Sequence, residues 1–321
     1  MTFRCLKIIP IASESMGVRS LSIMVELERL NLLIDAGAAL GPRSGLPPHP
    51  LEYVELKRAK ERIRNAAKTA DVIFVSHYHY DHYTPAWPEM EWKWTWSGYE
   101  EAKKIYDGKH VWAKNITSLI NKSQMLRAMR FVRDLRGMVK GFTSFNEGKM
   151  VLKDVEFRFK AFKHGTSDSR LGYVLSLYIE EDTSLLYMSD VQGPGTLEAL
   201  AYIKGLMPNF CIISGPPIYL SDLKIPEEEV GRGIKNLIIT TRYVKNLLVD
   251  HHMLRSEESL KMLDLLKKEA RKYANSVYTF AEFLGINNNL LEARRKELYR
   301  KHPPSQEFLR WTSIPRRPPP L

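Results

Sequence analysis

In the stretch FVSHYHYDHYTP, residues 74–85, three histidines and an aspartate occupy six positions: His77, His79, Asp81 and His82. The chain of 321 residues has nine histidines, so a third of them crowd onto this one segment. Residues two apart in an extended segment point the same way, so His77 and His79 can present imidazoles to one ion. If the chain then turns, Asp81 and His82 reach a second position beside the first. Imidazole suits Zn²⁺ and several other transition metals, and a carboxylate oxygen completes a mixed nitrogen and oxygen set. The alternative for these four residues is a polar turn without chemistry.

One loop cannot close two metal positions. Further donors stand where apolar runs end: His164 after VEFRFKAFK, Asp190 after SLLYMS, and the pair His251-His252 after NLLVD. Strand ends at one rim of a sheet converge in space, which is what a centre assembled on loops needs.

The elements that must position these donors are partly legible. LKIIPI, SLSIMVEL and the short run NLLIDAG, stopped by Gly37, read as strands. GPRSGLPPHP is too rich in glycine and proline for regular structure, and His49 within it reads as a loop residue. Residues 51–69 predict a charged helix, and DVIFVS a buried strand that delivers the histidine loop. Residues 86–150 are less regular and read as a helical insertion. There, Trp92, Trp94 and Trp96 alternate with polar residues, which suggests a strand or lid with one aromatic face. SLINKSQMLRAMRFVRDLRG predicts a helix ended by Gly137. Its Arg127, Arg130, Arg133 and Arg136, at three-residue spacing, form a solvated face or an anion-binding ridge.

After residue 150 strand patterns return, followed by the helix-like ESLKMLDLLKKEARKYA, with Ser256 as a cap, and by the basic LLEARRKELYRKH. The tail PPSQEFLRWTSIPRRPPPL reads as extended over the body or mobile. The expected organisation is one domain over residues 1–302 and a Pro/Arg-rich tail over 303–321.

Bulk properties narrow the function classes. No apolar stretch approaches the ~18 residues of a membrane-spanning helix, and the N-terminus has no secretory pattern. Two distant cysteines, Cys5 and Cys211, exclude a disulfide framework and favour a reducing cytoplasmic interior. A net charge of +11 favours anionic partners, phosphate-bearing metabolites or nucleic acid.

Taken in order, the pieces resemble the metallo-β-lactamase fold superfamily, whose hallmark is H-x-H-x-D-H followed by His, Asp and His on later strand ends. The likeness spans Asp35 in LLIDAG, the histidine loop, His164 in KHG, Asp190 in YMSD and His251 in VDHH. SESMGVRSLSIMVE, GLPPHP, SHYHYDHYTP and VDHHMLRS together are similar to an uncharacterised archaeal family of metal-dependent hydrolases with this fold. The resemblance implies an α/β architecture, a four-layer αββα sandwich with two mixed sheets face to face. It also implies two divalent ions, zinc first, with manganese or iron as alternatives. His77, His79 and His164 would hold one ion, and Asp81, His82 and His251 the other. Asp190 would bridge them, and Asp35 would orient the histidine loop from behind. Of the adjacent pair, His251 directly follows its strand as the family's last ligand does.

Two ions about 3.5–4 Å apart would yield hydroxide near neutral pH, attacking a phosphoester of nucleic acid or of a metabolite. Asp81 would aim it, and His252, His49 and Asp168 are the candidates for proton donor. Rival expectations are lactone, thioester or amide hydrolysis at the same centre, or an RNA- or ribonucleoprotein-associated binding protein with little activity. SESMGVRSLSIMVE with LLIDAG also resembles the opening of the RNA-processing nuclease branch of the fold. That branch carries a large extra domain between its bridging aspartate and last histidine, for which the 61 positions from Asp190 to His251 are too few.

Overall fold

A computed structural model describes residues 6–87, 94–220, 226–314 and 317–321. Cys5 and Trp92 lie outside the described residues.

The first sheet holds β1 (Lys7–Ser13), β2 (Leu21–Glu26), β3 (Asn31–Ile34), β4 (Val72–Val75), β5 (His110–Lys114) and β6 (Gly141–Phe145), in that spatial order. Its first three strands pair antiparallel and the rest parallel. Helices α1 (Pro50–Thr69), α2 (Tyr99–Tyr106) and α3 (Lys122–Asp134) cover its outer face. The second sheet holds β7 (Glu147–Leu152), β8 (Val155–Lys163), β9 (Tyr173–Glu180), β10 (Ser184–Ser189), β11 (Phe210–Ile213), β12 (Asn246–Val249) and β13 (Ser276–Tyr278), in sequential spatial order. Outside it lie α4 (Leu197–Leu206), α5 (Glu227–Thr240) and α6 (Ser259–Arg271). The order is therefore helices, sheet, sheet, helices: the expected αββα sandwich.

Alternation along the strands builds the layers. Leu32, Ile34, Val72 and Phe74 face inward and meet Phe159, Leu177 and Tyr187 of the second sheet. Their neighbours Leu33, Ile73 and Val75 face outward against Leu56, Ala59 and Ile63 of α1. Because β3 and β4 are apolar on both faces, they occupy the middle of their sheet.

Two expectations are corrected. Residues 86–150 are not a helical insertion: β5 and β6 extend the first sheet, with α2 and α3 as crossovers on its outer face. Short runs such as HVWAK lack the alternation that marks a strand in sequence, since a parallel strand is buried on both faces. Trp94 and Trp96 lie in irregular chain, so their alternation does not mark a strand.

The tail is likewise not loose throughout. After α7 (Phe280–Phe283) and α8 (Arg295–Lys301), residues Gln306–Ser313 form α9. Ser305 caps it by accepting from the Phe308 amide, and Phe308 and Trp311 are buried against Tyr53 of α1. Ser256 does not cap α6; its hydroxyl pairs with that of Ser259 instead.

Truncating a buried aromatic that large leaves a cavity as well as losing contact area. Trp311→Ala is expected to destabilise the fold by about 3 kcal/mol. An unchanged urea midpoint would mean that α9 does not dock in solution.

Candidate metal centre

Every donor named from the sequence sits just past the C-terminal end of a strand, on one rim of the sandwich. Asp35 follows β3, the histidine loop follows β4, His164 follows β8, Asp190 follows β10 and His251 follows β12. Three of these exits are strained. Asp35, Ser189 and His251 hold φ of 50°, 50° and 60°, a region that residues with a Cβ seldom occupy. Gly37 answers a different demand, since a Cβ there would lie 2.2 Å from the Tyr83 amide nitrogen, so only glycine lets the histidine loop pack this close.

Two groups of donors result. His77 Nε2, His79 Nδ1 and His164 Nε2 point at one another, with 3.0 Å between the first two and 3.3 Å between the last two. Asp81, His82 and His251 form the second group, with His251 Nε2 3.3 Å from Asp81 Oδ2. Between them lies Asp190. Its Oδ2 is 3.5 Å from His77 Nε2, 3.5 Å from His164 Nε2, 3.2 Å from His82 Nε2 and 3.8 Å from His251 Nε2. His252 Nε2 approaches the same oxygen at 3.0 Å, and its side chain is 13% exposed where that of His251 is fully enclosed. Both members of the pair therefore reach the cluster, but only His251 joins Asp81 and His82.

The arrangement fits a divalent metal. His82 Nε2 and Asp190 Oδ1 are buried without a hydrogen-bond partner, and such groups are costly unless something engages them. Imidazole nitrogens that converge at 3.0–3.3 Å can share protons only in part. A cation accepting their lone pairs would satisfy them all.

Asp35 holds the loop from behind. Its Oδ1 accepts from the Ser76 amide at 2.7 Å. Its Oδ2 accepts from the Ser76 hydroxyl at 2.6 Å, His82 Nδ1 at 2.7 Å and the Tyr187 hydroxyl at 2.6 Å. The bond to Nδ1 leaves Nε2 of His82 as the nitrogen facing Asp190.

Several contributors escaped the sequence reading. Arg255, 5% exposed, donates to Asp81 Oδ2 at 3.3 Å and to Glu14 Oε2 at 3.0 Å, and its NH2 lies 3.1 Å from His251 Nε2. Asp250 accepts from the Ser15 amide, the Ser13 hydroxyl and the Phe280 amide, and so fastens SESMG beneath His251. In the sequence, SESMG stands out through family resemblance alone, with no role for its residues. Arg255 lies four residues past His251, yet an arginine after a strand end is too common to single out.

Other expected residues fall elsewhere. His49 caps α1, accepting from the Leu51 amide at 3.3 Å, while its Nε2 lies 2.7 Å from the His302 carbonyl, so it is structural. Asp168 is exposed on the loop after His164. The arginine ladder splits. Arg127 donates to the Tyr78 carbonyl at 2.9 Å and lies over the Tyr80 ring, beside the histidine loop. Arg130 packs on Trp87. The Arg133 side chain is 66% exposed and paired with Asp134.

Charge is distributed unequally among the imidazoles. Burial holds His77 and His164 well below the usual histidine range, and pushes His79 down to about 4 and His251 to about 3. For His82, burial works against the charged form, but the Asp190 and Asp35 carboxylates outweigh it and hold the ring well above that range. His82 thus keeps a proton at neutral pH where His77, His79, His164 and His251 do not. A metal engaging Nε2 must expel that proton, so affinity should weaken as pH falls. Calorimetric zinc titration of metal-free protein at pH 7, in buffers of differing ionisation enthalpy, should report about one proton released. Release of none would count against His82 as a ligand.

No family model matches the chain. Among curated proteins, it is 36% identical over 301 residues to a UPF0282 protein of Sulfurisphaera tokodaii, covering 92% of this chain and 94% of that one. It is 35% identical over 311 residues to a UPF0282 protein of Korarchaeum cryptofilum, covering 95% and 98%. Among solved structures it is similar to Tm1679, a metal-dependent hydrolase of the beta-lactamase superfamily, at 14% identity and a TM-score of 0.47, covering 86% and 96%. The near end-to-end likeness in sequence decides the family, and the chain belongs to UPF0282.

Proposed function

We propose that the chain is a metal-dependent hydrolase that loads two divalent ions, zinc first, and cleaves phosphoesters in a reducing cytoplasm. The observation that supports this most is Asp190 Oδ2, a single oxygen within 3.0–3.8 Å of five imidazole nitrogens. His77, His79 and His164 would hold one ion and Asp81, His82 and His251 the other, with Asp190 available to both groups. When bound, such ions lower the pKa of a water and stabilise charge developing on the substrate.

The chain's own residues do the rest. Asp81, ionised because the His251 hydrogen bond and nearby positive charge outweigh its burial, accepts a hydrogen bond from the attacking water and so aims it. His252 stands at the partly open side of the centre, with the Tyr219 hydroxyl 3.4 Å from its Nδ1. It is the group placed to hand a proton to the leaving oxygen. Arg127, beside His79, meets the anionic group of the substrate, with Arg130 behind it. Arg133, engaged with Asp134, contributes less.

Metal content measured by elemental mass spectrometry should be about two equivalents per chain in the wild type and fall in Asp190→Ala. One equivalent in the wild type would overturn the two-ion reading. Turnover of p-nitrophenyl phosphate and its diester should vanish in the same variant.

For the anion, Arg127→Ala should raise KM for the phosphoester roughly tenfold while kcat changes little. Hydrolysis of a neutral p-nitrophenyl ester, with no phosphoester turnover, would point to lactone, thioester or amide substrates instead. Salt-sensitive RNA binding that survives His77→Ala, without any hydrolysis, would point to a binding protein.

A further inference from the structure

On the outer layer, α1 and the start of α2 line a half-open cavity of about 530 Å³. That volume is in the range of small-molecule sites, whose usual scale is about 300–1,000 Å³. Lys57, Lys60, Arg64 and Lys104 line it, against the carboxylates of Glu100 and Glu101. Arg64 already holds Glu101 with two bonds of 3.0 and 3.1 Å, so the lining keeps an excess of lysine charge. Trp96 and Tyr99 supply aromatic surface.

Lys60 is the residue that asks for an explanation. It is 2% exposed, and its Nζ donates to the hydroxyls of Thr84 at 3.1 Å and Ser97 at 3.0 Å. Those hydroxyls spend their own protons on the carbonyls of Ala36 and Thr95. Among the described residues Lys60 makes no ion pair, and two hydroxyls leave one of its three N–H donors over. The Glu101 carboxylate acts on it from a distance but is held by Arg64, so hydroxyls alone meet the ammonium directly, an expensive arrangement for a buried charge. Burial lowers the Lys60 pKa to about 8, against the opposing pull of Glu101. The neighbouring N-terminus of α2 has Gly98 as its cap residue, with no side-chain cap on its first amides.

We propose that this cavity is a second binding site, distinct from the metal centre, for a phosphate-bearing ligand with a planar ring, of the nucleoside monophosphate class. The phosphate meets Lys60 and the amides at the start of α2, with Lys57 and Lys104 at the mouth. The ring lies against Trp96 and Tyr99. Since Thr84 is two residues past His82 and bonds to Ala36, the site backs directly onto the loop that carries the metal ligands.

The test is isothermal titration of AMP, adenosine and inorganic phosphate into the full chain. AMP should bind saturably and more tightly than either half alone, and Lys60→Met should weaken it by at least about tenfold. Lys104→Glu, a change at an exposed position, should also weaken it and guards against misfolding of the first variant. Binding should persist in Asp190→Ala, which disables the metal centre and not this cavity. The proposal is overturned if AMP does not saturate, if both lysine variants bind like wild type, or if Asp190→Ala abolishes binding. Equal affinity for phosphate and AMP would remove the ring from the assignment.

Discussion

The Asp35 carboxylate is the point on which the rim depends. It is buried where the two sheets meet, and it accepts from groups on both: Ser76 and His82 from the first, Tyr187 from the second. Ser76 also reaches Ser189 at 2.8 Å, so the strand ends carrying the histidine loop and Asp190 are tied together. A buried carboxylate tolerates its position only when its lone pairs are met, and here they are met by the groups whose orientation matters for metal binding. The strain at Asp35, Ser189 and His251 is of a kind that persists only when surrounding contacts over-determine the backbone.

Concentrating so many ionisable groups in one buried place has an energetic cost, and much of the remaining structure offsets it. The two sheets press an apolar core of aromatic and branched side chains directly beneath the rim. Around it runs a second layer of charge. Arg255 joins Glu14 to Asp81, Arg19 holds Glu292 at 2.5 Å, and Arg295 holds Glu52 at 2.5 Å. Breaking one member of such a buried pair leaves its partner uncompensated, so the network acts on geometry more than on net stability. It also ties the C-terminal segment to Glu14, Arg19 and the first turn of α1, which makes that segment part of the scaffold of the centre.

The chemistry expected of the centre follows from this division of labour. Neutral imidazoles are ready donors, and a shared carboxylate keeps two positions close. The net positive charge of the chain suits an anionic substrate, and Arg127 places part of that charge beside the histidine loop. The buried lysine behind the loop is a separate matter. It meets hydroxyls where a structural cation would meet a carboxylate, which is why it points to a ligand and not to the fold.

The amino-acid sequence by itself determined the candidate donors and their order. His77, His79, Asp81 and His82 are local, and spacing within one loop survives whatever the rest of the chain does. His164, Asp190 and His251 were legible because each ends an apolar run, and strand ends meet at a rim. Residues 86–150 were misread because parallel strands buried on both faces lose the alternation that marks a strand. The tail was misread because its proline and arginine content hides the Phe308 and Trp311 face of α9. Only the tertiary structure decided that His49 meets the His302 carbonyl, that Arg255 reaches Asp81 and that Lys60 lines a cavity. Those roles depend on contacts across tens to hundreds of residues, which no local pattern of residue types encodes.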